Sequence, residues 1–141
     1  MAAHRTAPPL DNALAQALGA ANASFYDAFR KGDLRAMRAV WSERDDIACL
    51  HPGVAPLIGR RSVLQSWASI LEGPAGITFR ASHAAFIGDR GGVVTGVEIL
   101  AETELAATNL FRLEDGVWRM VVHQGGAIAR QSGVPEGAVV H

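Results

Sequence analysis

After about residue 75 the apolar residues of this chain stop recurring at helical spacing and begin to alternate. That switch of period constrains the fold most, because side chains return to one face every ~3.6 residues in a helix and every second residue in a strand. Three helical stretches precede it. Asp11 or Asn12 is placed to cap the first, whose stripe is Leu14, Leu18, Ala21, Phe25 and Phe29, and Gly32 is placed to end it in a left-handed turn. Asp33 caps a second, short helix through about Val40, with Leu34, Met37 and Trp41 inward. The third follows Gly59, runs from about Arg60 to Leu71 with Val63, Leu64, Trp67, Ile70 and Leu71 inward, and stops at Gly73-Pro74. The alternating half reads as strands over 76–88, 92–103, 104–114 and 117–126. Asp115-Gly116 between the last two is a hairpin signal, since such turns need positive backbone angles. Three helices followed by an antiparallel meander predict an α+β fold with its helices gathered on one side of the sheet.

Between the helices, Ile47 to His51 reads as a brief strand closed by a Pro52-Gly53 turn, with Ile47, Cys49 and His51 on one face. At 141 residues the chain has the length of one domain with a full core. We place that domain at 10–130, with a loose leader over 1–9 ending in Pro8-Pro9 and a Gly-, Pro- and Val-rich tail over 131–141. A net charge of −1 with no basic block argues against nucleic acid, which needs clustered cations to displace phosphate counterions. Cys49 stands alone, so neither an intramolecular disulfide nor a thiolate zinc site is available, and a reducing compartment fits. No apolar run is long enough for a membrane span and no secretory signal is evident, so the expectation is a cytoplasmic protein.

His51 leads the candidate site residues. If Ile47 and Cys49 face the core, its imidazole does too, and an imidazole in an apolar pocket can act as acid, base or hydrogen-bond donor. The alternative is a core histidine that anchors the Pro-Gly turn. Asn109 is the one polar member of the alternation Leu105, Ala107, Asn109, Phe111, Leu113. A buried amide needs partners, from a ligand oxygen or from a neighbouring side chain such as a histidine. His123, alternating with Val121 and Gly125, and His83, alternating with Phe79, Ala81 and Ala85, join His51 if they share its face. Their wide spacing favours hydrogen-bonding histidines over a metal site, so no metal is expected. Phe25, Trp41, Trp67 and Phe111 are the expected aromatic border, with core packing the plainer role for the tryptophans. Tyr26 reads as partly exposed, Arg60 and Arg61 as a solvated helix start, and Glu98, Glu102 and Glu104 as the outer face of strands. No phosphate loop or nucleophile elbow is present, so no cofactor is expected.

The motifs Cys49-Leu50-His51-Pro52-Gly53, Gly59-Arg60-Arg61-Ser62-Val63-Leu64 and Ser66-Trp67-Ala68-Ser69-Ile70 carry a resemblance, together with Thr108-Asn109-Leu110-Phe111-Arg112 and the segment from Trp118 to His123. Over roughly residues 12–128 the chain resembles the SnoaL-like branch of the NTF2-like superfamily. The resemblance implies a cone: a curved antiparallel sheet wrapped around three helices, leaving an apolar cavity. It implies a small apolar ligand and, if the domain is catalytic, isomerase, cyclase or dehydratase chemistry. The alternative is a non-catalytic ligand-binding or dimerisation module. Isomerases of this kind use a strand-end aspartate, a helix-one tyrosine and a sheet aspartate; those positions fall here on His51, on or near Phe25, and on Asn109. Phe25 donates no hydrogen bond, so a standard ketosteroid isomerase is not expected. The dehydratase branch uses pocket histidines, which keeps His51 and His123 as an acid–base pair. Leu100, Leu110, Trp118 and Met120 read as an apolar outer sheet face, and a homodimer would cover it.

Overall fold

The computed structural model describes residues 9–129, so the expected leader and tail lie outside the described residues apart from Pro9. Pro9 opens the first helix, α1 (Pro9–Lys31), ahead of the expected cap at Asp11 or Asn12. A proline suits a first helical turn, where its missing N–H has no partner to lose. Gly32 (φ +65°) ends α1, and the Asp33 side chain accepts from the Ala36 N–H at 3.0 Å to start α2 (Leu34–Val40). Then come β1 (Ala48–Leu50), β2 (Leu57–Ile58), α3 (Arg60–Ile70), β3 (Ile77–Ile87), β4 (Gly91–Leu100), β5 (Thr103–Glu114) and β6 (Val117–Ala127).

These strands form one sheet in the order β2-β1-β6-β5-β4-β3. Every pairing is antiparallel except β1 with β6, which run parallel with Cys49 opposite His123. The long strands are the expected meander, and Asp115 (φ 52°) and Gly116 (φ 80°) make its last turn in the conformation that pair favours. The architecture is the expected α+β cone, three helices packed on a curved, mostly antiparallel sheet. Its core joins Leu18, Phe25, Tyr26 and Ala28 of α1 to Met37, Val63, Trp67 and the concave sheet face.

Two bulges bend the sheet and change which residues face inward. In β6, Val122 pairs with Leu110 while Met120 pairs with Phe111, leaving Val121 as an extra residue. A bulge advances the alternation by one position. Trp118 and Met120 below it and His123 and Gly125 above it therefore all face the interior. The expectation that Trp118 and Met120 face outward is thus overturned; they are 5% and 0% exposed. In β3 the register breaks at Ser82, so that Ala81 pairs with Gly96 on the concave face and His83 pairs with Thr95 on the convex one. His83 is exposed there, away from the interior it was expected to share.

Strand β4 corrects a third expectation. Its inward positions are Gly92, Val94, Gly96 and Glu98, so Glu98 lies on the concave face and is only 2% exposed. Helix α1 and Phe79 press against the glycines: a Cβ on Gly92 would meet Leu18 at 2.8 Å, and one on Gly96 would meet the Phe79 ring at 2.6 Å. Gly92 and Gly96 face inward because the elements packed on them come too close for a side chain. Val93, Val97 and Ile99 of this strand take the convex side, while Val94 alone of its valines packs inward.

Candidate functional site

His51 stands just past the end of β1 and is half-buried. Its Nε2 lies 3.0 Å from Oγ of Ser66 on α3. That hydroxyl gives its own proton to the Val63 carbonyl at 2.8 Å, so Oγ accepts from His51 and the Nε2–H is fixed. In the neutral ring the lone pair is then on Nδ1. Trp67 packs edge-on against His51 with ring centroids 5.1 Å apart, and the Cys49 sulfur lies 3.5 Å from Nε2. Burial pushes the Cys49 thiol up to about 12, which removes it as a nucleophile near neutral pH.

Deeper in the cone, α1, β4, β5 and β6 each bring polar groups to one cluster. Asn109 donates from Nδ2 to Oδ1 of Asn22 at 2.8 Å and to the Tyr26 hydroxyl at 3.0 Å. Its Oδ1 meets Nδ1 of His123 at 2.6 Å, so the histidine proton is on Nδ1 and Nε2 carries the lone pair. Tyr26 passes its proton to Oε2 of Glu98 at 2.6 Å, the length of a charge-assisted bond to a carboxylate. His123 Nε2 stops 3.6 Å short of that same oxygen. Asn109, His123 and Glu98 are each no more than 2% exposed.

Burial governs the titration of this group. It pushes the His123 imidazole down to about 3, with His51 contributing repulsion, so His123 is neutral at physiological pH. Burial also lowers His51 from its ordinary value, which favours its neutral, basic form. The Glu98 carboxyl is raised by burial, with the Tyr26 hydrogen bond acting in the opposite direction. The Tyr26 phenol is raised by burial first and by the Glu98 charge next, so it stays a donor.

The structure brings three of the expected site residues into one interior region. His51 and His123 have ring centroids 6.4 Å apart, and His123 holds Asn109. Phe25 and Trp67 pack on His123 at 4.8 and 5.8 Å. Trp41 and Phe111 sit deeper: both pair with Met120, on the far side of Asn109 from His51, and are fully buried core residues. His83 is not part of the group. Among the described residues no cluster of three or more His, Cys, Asp or Glu side chains is placed to hold a metal ion.

Glu98, Tyr26, Asn22 and Ser66 are the participants the sequence reading missed. Tyr26, expected to be partly exposed, is 2% exposed. A signal for it existed: Asn22 and Tyr26 are four residues apart, one turn of α1, and adjoin the Phe25 stripe. The hydrogen-bond donor that Phe25 cannot supply is therefore present one residue along, with its proton committed to Glu98.

This is an α+β cone, three helices packed on a six-stranded, mostly antiparallel sheet with a polar cluster between them. The chain belongs to the SnoaL-like domain family of the NTF2-like superfamily, whose SnoaL-like domain matches residues 18–130. It is similar to a solved protein from Thiobacillus denitrificans named as a calcium/calmodulin-dependent protein kinase type II association domain: 32% identity, covering 79% of this chain and 94% of that one, TM-score 0.72. A Streptomyces avermitilis protein named as a dehydratase of the NTF2-like family is 28% identical, covering 85% and 99%, TM-score 0.74. The F-box protein SKIP8 of Arabidopsis thaliana is 24% identical over 119 residues, and the chain spans about half the length (52%) of that relative. No helix among the described residues is long and apolar enough to cross a membrane.

Proposed function

We propose that this domain binds a small apolar molecule where the cone opens, between His51 and the buried Glu98–Tyr26–Asn109–His123 cluster, and that His51 transfers a proton to or from it. The observation that supports this reading is the cluster itself. Stability alone favours an apolar core here, because a buried carboxylate costs several kcal/mol to desolvate. Polar groups gathered from one helix and three strands beneath a half-buried histidine are the arrangement a pocket enzyme uses. His51, lowered by burial and with Nδ1 unprotonated, is suited to accept a proton near neutrality. The dehydratase name of the Streptomyces relative agrees with proton-transfer chemistry. The reading does not depend on the ketosteroid isomerase donor pair, because Tyr26 and Asn109 are saturated by protein partners.

A general carbon acid tests the base directly. In 5-nitrobenzisoxazole the C3 proton passes to a base as the N–O bond breaks and a cyanophenolate leaves. His51→Ala is expected to slow this elimination about a hundredfold. The rate should follow a titration with its midpoint below the ordinary histidine value of about 6.5. Elimination no faster than with free imidazole, and indifferent to His51→Ala, would instead assign the domain to binding without catalysis.

We also propose that two copies associate through the convex sheet face. Corrected for the bulges, that face carries Val93, Val97, Ile99, Leu110 and Val122, all partly exposed, while Val121 packs against the core. Leu100 is half-buried against the core and, like Trp118 and Met120, leaves the expected set. The association-domain name of the Thiobacillus relative agrees with self-assembly.

A further inference from the structure

Helix α1 carries a second stripe beside the one it buries. Ala17, Ala20 and Ser24 follow one another at helical spacing, where a face left to water is ordinarily polar. With Ala36 and Ala39 of α2 and Val117 of β6 they line an apolar groove of about 470 Å³, within the range of small-molecule sites, roughly 300–1,000 Å³. Val117 is 47% exposed, and Ala17, Ala20 and Ala39 are exposed as well. Arg119 is the one charged residue among those that line the groove.

The groove does not end at Arg119. Gly116, Val117 and Arg119 also line a second cavity of about 700 Å³, together with Arg44, Arg90 and Arg112. A Cβ on Gly116 would meet nothing within 4 Å, so the space over the hairpin turn is open. Arg112 is committed: Asp46 holds it through both carboxylate oxygens, each at 2.9 Å, and Glu114 and Ser42 take further donors. Arg44, Arg90 and Arg119 differ. Among the described residues none of them is paired with a carboxylate, and Arg119 gives one N–H to the Ala39 carbonyl. Glu43, Glu114 and Asp115 line the same cavity, so its charges nearly balance, but no carboxylate lines the apolar groove. At the junction of the two, the charge is the Arg119 guanidinium, which keeps most of its five N–H donors.

We infer that this junction binds an anionic amphiphile: a single-chain alkyl carboxylate, its chain in the groove between α1 and α2 and its carboxylate accepting from Arg119. The chain takes the exposed alanines and Val117 out of water. The guanidinium fork matches a carboxylate, which it can hold through two parallel N–H···O bonds. The site shares no lining residue with the interior cluster and does not depend on the proton-transfer reading.

Calorimetric titration of the full chain with sodium decanoate, kept below its micelle concentration, tests the inference. Decanoate should bind about fivefold or more tightly than 1-decanol, the scale of one exposed ion pair, and acetate should give no heat of binding. Arg119→Gln keeps a donor for the Ala39 carbonyl; it should weaken decanoate about fivefold and leave decanol unchanged. Ala20→Leu, at an exposed helix position that accepts leucine readily, should fill the groove and weaken both ligands about tenfold with little change in melting temperature. Equal binding of decanoate and decanol, or equal binding of decanoate by Arg119→Gln and the unmodified chain, would overturn the headgroup assignment. Tighter binding of decyltrimethylammonium would overturn it in favour of the Glu43 and Asp115 carboxylates. Decanoate affinity unchanged by Ala20→Leu would place the chain elsewhere, and no decanoate binding would reject the site. A dimer in sedimentation that Ala20→Leu dissociates would give the groove to a second copy instead of a ligand.

Discussion

Glu98 and Tyr26 depend on each other. The phenol gives the carboxylate its one hydrogen bond from a described residue, and the carboxylate fixes the direction of that phenol's proton. Tyr26→Phe would leave Oε2 of Glu98 without its donor and remove one acceptor from Asn109, so urea denaturation should show a loss of about 1–3 kcal/mol. A loss below about 0.5 kcal/mol would mean that the cluster is not closed in solution. His123 makes a second prediction, in pH. Its folded value of about 3 lies below the ordinary value of 6.5, so on acidification the unfolded chain takes up a proton first. The stability from burying it neutral is fully present above about pH 6.5 and is lost as pH falls toward 3, with a slope approaching 1.4 kcal/mol per unit. His51 has the same sign. Glu98 has the opposite sign: its raised folded value restores stability as pH falls from that value toward 4.5. Unfolding free energies measured from pH 7 to 5 should decline, and His123→Gln should flatten the decline; an unchanged slope in that variant would contradict the assignment.

At the scale of elements, local chemistry sets the boundaries. Asp33→Ala removes the cap of a helix only two turns long and should lower stability by about 1 kcal/mol. Gly116→Ala forces a Cβ into a left-handed turn position at φ +80° and should cost about 1–2 kcal/mol. Both show as shifts in the denaturant midpoint at constant slope. These caps and turns were legible because Asp, Gly and Asp-Gly act through local backbone geometry. The strand ends also followed, since the alternation and its breaks are written in single residues. The facing of the strands was less legible. Val121 and Ser82 have no side-chain signature that announces a bulge, yet each reverses the inward set beyond it and so decides where His83, Trp118 and Met120 point. The parallel pairing of β1 with β6 is a long-range choice, and it is what sets Cys49 beside His123. Of the candidate site, His51, Asn109 and His123 were visible as polar residues on apolar faces. Glu98 was hidden because β4 turns Gly92 and Gly96 inward and Val93, Val97 and Ile99 outward.

For the whole molecule, the convex face and the interior site are separate questions with separate measurements. Val93, Leu110 and Val122 form an apolar row across three adjoining strands, with Val97 and Ile99 further along β4, and a twofold pairing would cover them on both copies. Sedimentation equilibrium at tens of micromolar should give a dimer, and Leu110→Arg should give a monomer with the same fold by circular dichroism; a monomer for the unmodified chain would reject the pairing. The interior claim is that a neutral, hydrogen-bonded His123 and a basic His51 flank one ligand position. Long-range 1H–15N spectra of the histidine rings report it most directly, read with and without a small apolar probe, 2-naphthol. The account predicts His123 as the Nδ1–H tautomer and His51 as the Nε2–H tautomer at pH 7. Added 2-naphthol should shift both rings and leave His83, on the convex face, unmoved. A protonated His123 at pH 7, or a ligand response at His83 with His51 and His123 unchanged, would contradict it.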